Sequence, residues 1–346
     1  MKKFFHSLIT GQHKGLIYSI TRPLFLVAEF IYLCGIETIK FLYRRGFLKS
    51  LKLKAKVISI GNITWGGTGK TSLVALLGKL LSSENIKPAV LIRGYGGDED
   101  SMLREQLGNI LVLSGRNRIK NAKEAEDKYN CQALILDDGL QHWRIKRDLD
   151  IVAVSATNPF GNGRLIPAGI LREPFSALGR ADIFVLTKVN LANEKHIADT
   201  EKTIRSIKPQ AQIFKAEHKA ISITKINGNE KLDLSYITGK KICAVSGIGD
   251  NDSFFKMLLD LGAKITTKLP FPDHHKYTRG DIGYIINAAK KTGAGIIITT
   301  AKDWVRLKPI FHHKCSGDVE ILLLNITIRI IDEEGFFNRV KSIFNS

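Results

Sequence analysis

The sequence predicts an α/β protein with a parallel sheet domain, a second, smaller α/β/α domain and an amphipathic helix at the amino terminus. Three observations lead there. Short apolar, β-branched runs alternate with helical stretches along the chain, the pattern of βαβ units and parallel sheets. One such run, Val57-Ile58-Ser59-Ile60, feeds the glycine-rich turn Thr64-Trp65-Gly66-Gly67-Thr68-Gly69-Lys70-Thr71 ahead of a helical stretch. Residues 1–56 hold eleven Lys and Arg against two acidic residues, beside a long apolar run.

The chain of 346 residues is long enough for two domains and a sizeable core. Cys34, Cys131, Cys243 and Cys315 are far apart and form no C-x-x-C pair, which points to a reducing compartment and away from a zinc site. The net charge of +19 implies an anionic partner: nucleic acid, phospholipid or a phosphorylated substrate. The expected divisions are a basic amino-terminal segment at 1–50, a sheet domain at 51–214, a linker at 215–240 and a second α/β domain at 241–346.

Pro23 to Tyr43 approaches the length of a membrane span. At about 100° per residue, however, Glu29, Glu37, Lys40 and Arg44 fall on one narrow strip of a helix, and the rest of its circumference is apolar. That suits a helix lying in a bilayer interface. Lys2, Lys3, Lys14, Arg22, Arg45, Lys49, Lys52, Lys54 and Lys56 would add attraction to anionic lipid. Packing on the protein's own core is the alternative. A single span would bury two carboxylates in hydrocarbon, and a late apolar core with no small-residue cleavage site does not fit a signal peptide.

The strand, the Gly-rich turn and the helix Ser72 to Leu81 form the context of a phosphate-binding loop. Glycines let backbone N–H groups close on phosphate oxygens, and the helix N-terminus adds its positive dipole end. Lys70 would reach the β- and γ-phosphates of a nucleotide and the Thr71 hydroxyl would ligate Mg²⁺. Thr64 stands where the first glycine of the common spacing would be. The first domain is therefore expected to be P-loop NTPase-like.

Ala89 to Ile92 is the next strand and runs into the loop Arg93-Gly94-Tyr95-Gly96-Gly97-Asp98-Glu99-Asp100. Loops at the carboxyl ends of parallel strands are where α/β sites gather. Ile110 to Leu113 is a strand followed by Gly115-Arg116-Asn117-Arg118, and Ile119 to Tyr129 is a helix. The strand Ala133 to Leu136 ends in Asp137-Asp138-Gly139-Leu140-Gln141-His142. An acid at such a strand tip can hold Mg²⁺ directly or through water. Strands at Ile151–Val154 and Ile183–Leu186 flank a Gly- and Pro-rich loop, 158–174, carrying Arg164, Arg172 and Glu173. Loops of that length are functional or disordered.

In the second domain Ile242–Val245, Gly295–Thr299 and Ile321–Ile330 read as strands. Asp252–Leu261, Thr278–Lys291 and Glu333–Phe344 read as helices, with Phe271-Pro272-Asp273-His274-His275 in a loop.

Several of these motifs together resemble one family. They are Gly61-Asn62-Ile63-Thr64 running into Gly66-Gly67-Thr68-Gly69-Lys70-Thr71, Arg93-Gly94-Tyr95-Gly96, Asp98-Glu99 and Asp137-Asp138-Gly139-Leu140-Gln141-His142. Gly161-Asn162-Gly163-Arg164-Leu165, Pro167-Ala168-Gly169, Leu171-Arg172-Glu173-Pro174 and Pro272-Asp273-His274-His275 complete the set. The ordered set is similar to the tetraacyldisaccharide 4'-kinases, the lipid A 4'-kinases of Gram-negative bacteria.

The resemblance implies that ATP, with Mg²⁺, phosphorylates the 4'-hydroxyl of an acylated glucosamine disaccharide 1-phosphate to give lipid IVA. It implies work on the cytoplasmic face of the inner membrane, peripherally or anchored by the amino-terminal helix, with the active site in the cleft between two α/β/α units. Lys70 and Thr71 then take the phosphate-loop roles. Asp98 is the implied base, paired with His274 from the other unit. Thr71, Asp137, Asp138 and Glu173 are the implied metal set, and Glu99, Arg116, Arg172, Gln141 and His142 the candidates for substrate or phosphate.

A membrane-associated P-loop GTPase or switch is the alternative. Its base-reading strand would end in Asn-Lys-x-Asp, whereas the comparable end here is Thr187-Lys188-Val189-Asn190, and an amide fits guanine poorly. A nucleic-acid ATPase has the charge but no recognised module. No nucleic acid and no obligate protein partner is inferred.

Overall fold

The computed structural model describes residues 16–94, 97–226, 230–311 and 319–345, with backbone alone at 16–21 and 97–99. Lys2, Lys3 and Lys14, counted above for lipid attraction, lie outside the described residues. The chain divides into two compact units, one of residues 1–95, 103–217 and 330–346, the other of residues 96–102 and 218–329.

The first unit opens with helix α1, Leu16–Arg44. Strand β1, Lys56–Gly61, and helix α2, Lys70–Ser83, follow. After β2, Pro88–Ile92, the chain forms α3, Gly97–Leu107, whose residues 97–102 count with the second unit, then β3, Leu111–Ser114, α4, Arg118–Asp127, and β4, Ala133–Asp137. Strands β5, Leu149–Ser155, and β6, Ile183–Thr187, helix α5, Glu194–Ile207, and strand β7, Gln212–Lys225, come next. The strands of this unit run in the order β7-β6-β5-β1-β4-β2-β3, every pair parallel. β2, β5 and β6 are buried at every position, which is why they read as unbroken apolar runs. β1 lies between β4 and β5, with Ile60 opposite Asp137. The phosphate-loop turn and the acidic strand end therefore leave the sheet side by side.

The second unit adds β8, Lys231–Leu232, antiparallel to β7, then β9, Lys241–Ser246, α6, Asn251–Asp260, and β10, Lys264–Pro270. Helix α7, Arg279–Lys291, strand β11, Ile296–Thr300, helix α8, Ala301–Leu307, and strand β12, Glu320–Ile330, complete it. Its strand order is β10-β9-β11-β12-β7, with β10·β9, β9·β11 and β11·β12 parallel. A capping box between Thr278 and Asp281 starts α7, the reciprocal pairing that satisfies orphan N–H groups at a helix start.

Three stretches differ from the sequence reading. Residues 97–107, whose start reads as loop in the sequence, are helix α3; Leu103 and Leu107, one turn apart, are buried and anchor it. The expected linker at 215–240 is largely strand. Lys215, Lys219 and Ile221 are exposed on one face, while on the other Ala216 is buried and Ala220 and Ser222 are half-buried, as on a strand with one wet face. The terminal helix α9, Glu333–Lys341, belongs to the first unit, where Phe336 meets Phe214 edge-on at 5.5 Å and Lys341 pairs with Glu84 at 2.6 Å.

Helix α1 spans 29 residues, and no helix among the described residues is long and apolar enough to cross a membrane. Its polar strip turns partly toward the protein. Glu29 accepts from the Leu165 N–H at 2.8 Å and pairs with Arg164 at 3.0 Å. Lys40 is buried and bonds Glu37 at 2.7 Å, whereas Arg44 is exposed. Tyr32 and Leu33 rest on the first unit's core. An apolar face points out: Leu24, Val27, Phe30 and Ile31 are each more than half exposed.

Candidate active site

The phosphate loop is held open by specific local contacts. Gly69 caps α2 in the left-handed region, φ 82°, where a side chain would be strained. Gly61 ends β1 against the turn after β4; a Cβ there would lie 2.5 Å from the Leu140 Cβ. The buried Asn62 amide donates to the Thr64 carbonyl at 2.7 Å and the Thr68 hydroxyl at 3.1 Å, bracing the loop from within. From loop 158–174, Ile170 accepts the Trp65 N–H at 2.7 Å, and the Arg172 N–H donates to the Ile63 carbonyl at 2.6 Å. The Trp65 indole is exposed. Lys70 and Thr71 open α2, where helix N–H groups lack intrahelical partners and favour an anion.

At the tip of β4 the charges converge. Arg172 grips the Asp138 carboxylate with two bonds, 2.7 and 3.0 Å, and the Lys70 ammonium lies 3.6 Å from the same group. Arg118 donates to the Asp138 carbonyl at 3.2 Å and to the Asp137 carbonyl. Burial alone would raise the Asp138 carboxyl, but Lys70, Arg172 and Arg118 outweigh it and hold it at about 2. Burial, followed by the charges of Arg118, Arg144, Arg147 and Arg93, pushes the His142 imidazole down to about 4, so it is neutral at pH 7.

The depressed Asp138 group predicts an acid limit. A folded value of about 2 against an ordinary 3.8 contributes stability above pH 4 that is lost as pH falls through 2. After allowance for solvent screening the contribution is about 1 to 2 kcal/mol. Urea midpoints of wild type and Asp138→Asn at stepped pH should differ at pH 6 and converge between about pH 4 and pH 2. A gap independent of pH would contradict the ion cluster.

Beside the cluster, Gln141 donates to the Asn62 carbonyl at 2.9 Å and to Glu173 at 3.0 Å. Glu173 is buried, and Arg180 contacts both its carboxylate oxygens at 2.8 Å. Arg180 in turn lies 4.5 Å over the Trp143 ring, on which Tyr43 of α1 stacks at 5.8 Å. The Tyr32 hydroxyl donates to the Arg172 carbonyl at 2.9 Å. Helix α1 thus touches loop 158–174 at Leu165 and Arg172, and that loop touches the phosphate loop.

In the second unit, His274 is half-exposed and left-handed, φ 57°, a conformation that costs a non-glycine residue about 1 kcal/mol. Such strain gathers at functional positions. Its Nδ1 lies 3.4 Å from Arg306, and its Nε2 lies 3.8 Å from Asp273, which pairs with Lys302 at 3.7 Å. Arg306 is placed by the Gly247 carbonyl at 3.1 Å and by Asp303 at 3.7 Å. Asp303 is fully buried and accepts from Gly247, Thr300 and Tyr277. Burial holds its carboxyl above the usual range.

Lys70, Asp138, Arg172, Gln141 and Glu173 therefore form one contiguous network with Thr64 and Thr68 of the loop. Arg116 is exposed, whereas Arg118, two residues on, reaches the acidic strand end. Sequence reasoning misses Arg118 and Arg180; the signal for Arg118 is a basic residue just after a strand end, and Arg180, three residues before β6, carries none. The side chains of Asp98 and Glu99 lie outside the described residues. Residues 96–102 and His274 fall in the same compact unit, where the sequence placed them in different ones.

A magnesium ion fits the donors in one restricted way. Among the described residues no group of three or more His, Cys, Asp or Glu is arranged to hold a metal. Guanidinium groups take the Asp138 and Glu173 carboxylates. Mg²⁺ bound through nucleotide phosphates needs only one or two protein oxygens, and Thr71 and Asp137 are of the right chemistry.

A protein-family model described as tetraacyldisaccharide-1-P 4'-kinase matches residues 21–101 and 96–345. A curated tetraacyldisaccharide 4'-kinase of Syntrophus aciditrophicus is 37% identical over 339 residues, 90% of each chain. Another, of Halothermothrix orenii, is 34% identical over 339 residues, 88% of each. Among solved structures, LpxK from Aquifex aeolicus in complex with ATP matches with a TM-score of 0.67 at 28% identity, over 94% of this chain and 99% of that one.

Proposed function

The chain belongs to the tetraacyldisaccharide 4'-kinase family, and from that premise we propose how its residues carry out the transfer. The enzyme moves the γ-phosphate of ATP to the 4'-hydroxyl of a tetraacyldisaccharide 1-phosphate, forming lipid IVA in lipid A biosynthesis. The observation that carries the residue assignment is Lys70, at the start of α2, facing an arginine-clamped acid on the adjacent strand tip.

The backbone N–H groups at 66, 67 and 69–71 and the α2 dipole hold the triphosphate. Lys70 and Arg172 neutralise charge on the transferring phosphoryl oxygens, where catalysis consists of positioning and electrostatics. Asp138 keeps both cations in place. Thr71 and Asp137 are the proposed oxygen donors to Mg²⁺, which supplies further charge neutralisation when bound with the nucleotide. Asp98 accepts the proton of the sugar hydroxyl, and His274, set by Arg306 and Asp273, orients that carboxylate or relays the proton. Incubation with ATP and a monophosphorylated tetraacyl disaccharide should yield a bisphosphorylated product by mass; unchanged acceptor would overturn the reading.

The membrane contact is part of the same proposal. The outward apolar face of α1 suits immersion in a headgroup layer while Glu29 and Tyr32 hold the helix to the protein. The basic residues Arg45, Lys49, Lys52 and Lys54 follow it directly. Each large apolar side chain transferred to lipid contributes about 1.5 to 3 kcal/mol. The double substitution Phe30→Ser with Ile31→Ser should therefore weaken binding to anionic vesicles by tenfold or more, to order of magnitude. Flotation equal to wild type would remove α1 from the contact.

A further inference from the structure

The strand end Thr187-Lys188-Val189-Asn190, compared above with a base-reading motif, makes a different connection. β6 ends at Thr187, and Lys188 turns the chain in the left-handed region, φ 60°. The Thr187 hydroxyl donates to the Thr68 carbonyl at 2.8 Å, and the Lys188 ammonium donates to the Gly67 carbonyl at 2.8 Å. Both side chains are buried, Lys188 at 5% exposure. Burying a lysine is costly, and here its charge points at the phosphate loop's own backbone.

We propose that Thr187 and Lys188 are positioning residues for the nucleotide: a clamp that draws two consecutive loop carbonyls toward β6 so that the Gly69 amide and the first amides of α2 face the phosphates. The physical basis is the trans peptide, in which C=O and N–H point in opposite directions. Fixing the Thr68 carbonyl on Thr187 directs the Gly69 N–H away from β6. Fixing the Gly67 carbonyl on Lys188 directs the Thr68 N–H onto the Gly66 carbonyl at 3.0 Å, closing a tight turn ahead of Gly69. The Gly69 N–H and those of the first turn of α2 then share a side and make an anion-binding concavity. A charge-assisted bond is about twice as strong as a neutral one, which suits Lys188 to holding a glycine-rich segment that has little intrinsic preference for this shape.

The inference rests on the kinase reading above, since it concerns the triphosphate end of ATP. The test compares wild type with Lys188→Met, Thr187→Val and Thr187→Ser, all as full chains. Fluorescent ATP titration, steady-state KM for both substrates, kcat and thermal melting are measured. Lys188→Met and Thr187→Val should each weaken ATP binding about tenfold or more while the KM for the lipid acceptor stays within twofold, about 1.4 kcal/mol of nucleotide affinity. Thr187→Ser, which keeps the donor, should restore wild-type ATP binding. Wild-type ATP affinity in both Lys188→Met and Thr187→Val overturns the clamp while leaving the kinase assignment untouched. Equal losses for ATP and acceptor, tracking a lowered melting point, also overturn it. Should Lys188→Met not fold, the Thr187→Val and Thr187→Ser pair decides alone. A wild-type protein that binds no ATP overturns both inferences together.

Discussion

Lys70→Met is expected to lower kcat/KM by about 10³-fold or more, the scale on which losing a cation or oxyanion donor from a transferring phosphoryl group is measured. Lys70 opens α2, so its ammonium adds to a helix N-terminus already biased toward negative charge. In this structure it stands 3.6 Å from Asp138, and Arg172 holds the same carboxylate in a bidentate grip. Methionine keeps the length and packing of the lysine stem and removes only the charge. Asp138 retains Arg172, so the fold should survive, and melting should shift little beside the loss of rate. Steady-state kinetics with ATP and the acylated disaccharide check the prediction. A fall of less than tenfold would take Lys70 out of charge neutralisation.

Asp98→Ala is expected to lower kcat by two orders of magnitude or more, at about the 10²- to 10⁴-fold worth of a general base, while ATP binds as in wild type. A sugar hydroxyl is a weak nucleophile and needs an acceptor for its proton. Asp98 falls in the first turn of α3. The helix itself is anchored by Leu103 and Leu107. Loss of the base should appear in kcat and kcat/KM alike, because the interaction exists only during transfer. Unchanged kcat would exclude Asp98 as the base, and a matching loss of ATP affinity would assign it to the nucleotide.

Much of the first unit could be read directly because its strands are buried on both faces and therefore apolar throughout, as at Ala89–Ile92 and Ile183–Leu186. β7 escaped notice for the opposite reason: its half-wet alternation, with Lys and Glu on the solvent side, resembles a polar connection. Helix α3 was hidden by a start of Gly and acids that also suits a turn, its two buried leucines coming only at its end.

At the site, sequence shows which residue types stand at strand ends, but not which nitrogen reaches which oxygen. Arg116 and Arg118 are equally plausible by spacing; helix α4 begins at Arg118, and that side chain is the buried one. Glu173 reads as a metal ligand until Arg180, seven residues on, is seen on both its oxygens. The Thr187–Lys188 contact with the phosphate loop crosses about 120 positions of sequence, a pairing set by strand order alone. The same holds for Glu29, whose partners in loop 158–174 set one charge of the helix's polar strip against the protein.

The most direct measurement follows the phosphate itself. Purified protein is given ATP labelled at the γ position and the monophosphorylated acyl disaccharide in mixed micelles, and ADP, labelled lipid and free phosphate are counted together. One labelled lipid should form for each ADP, with the new phosphate on the 4' oxygen by fragmentation, and the Lys70→Met protein should form neither. Label appearing as free phosphate at the same rate with or without acceptor, or a lipid left unlabelled while ATP is consumed, would contradict transfer through this loop.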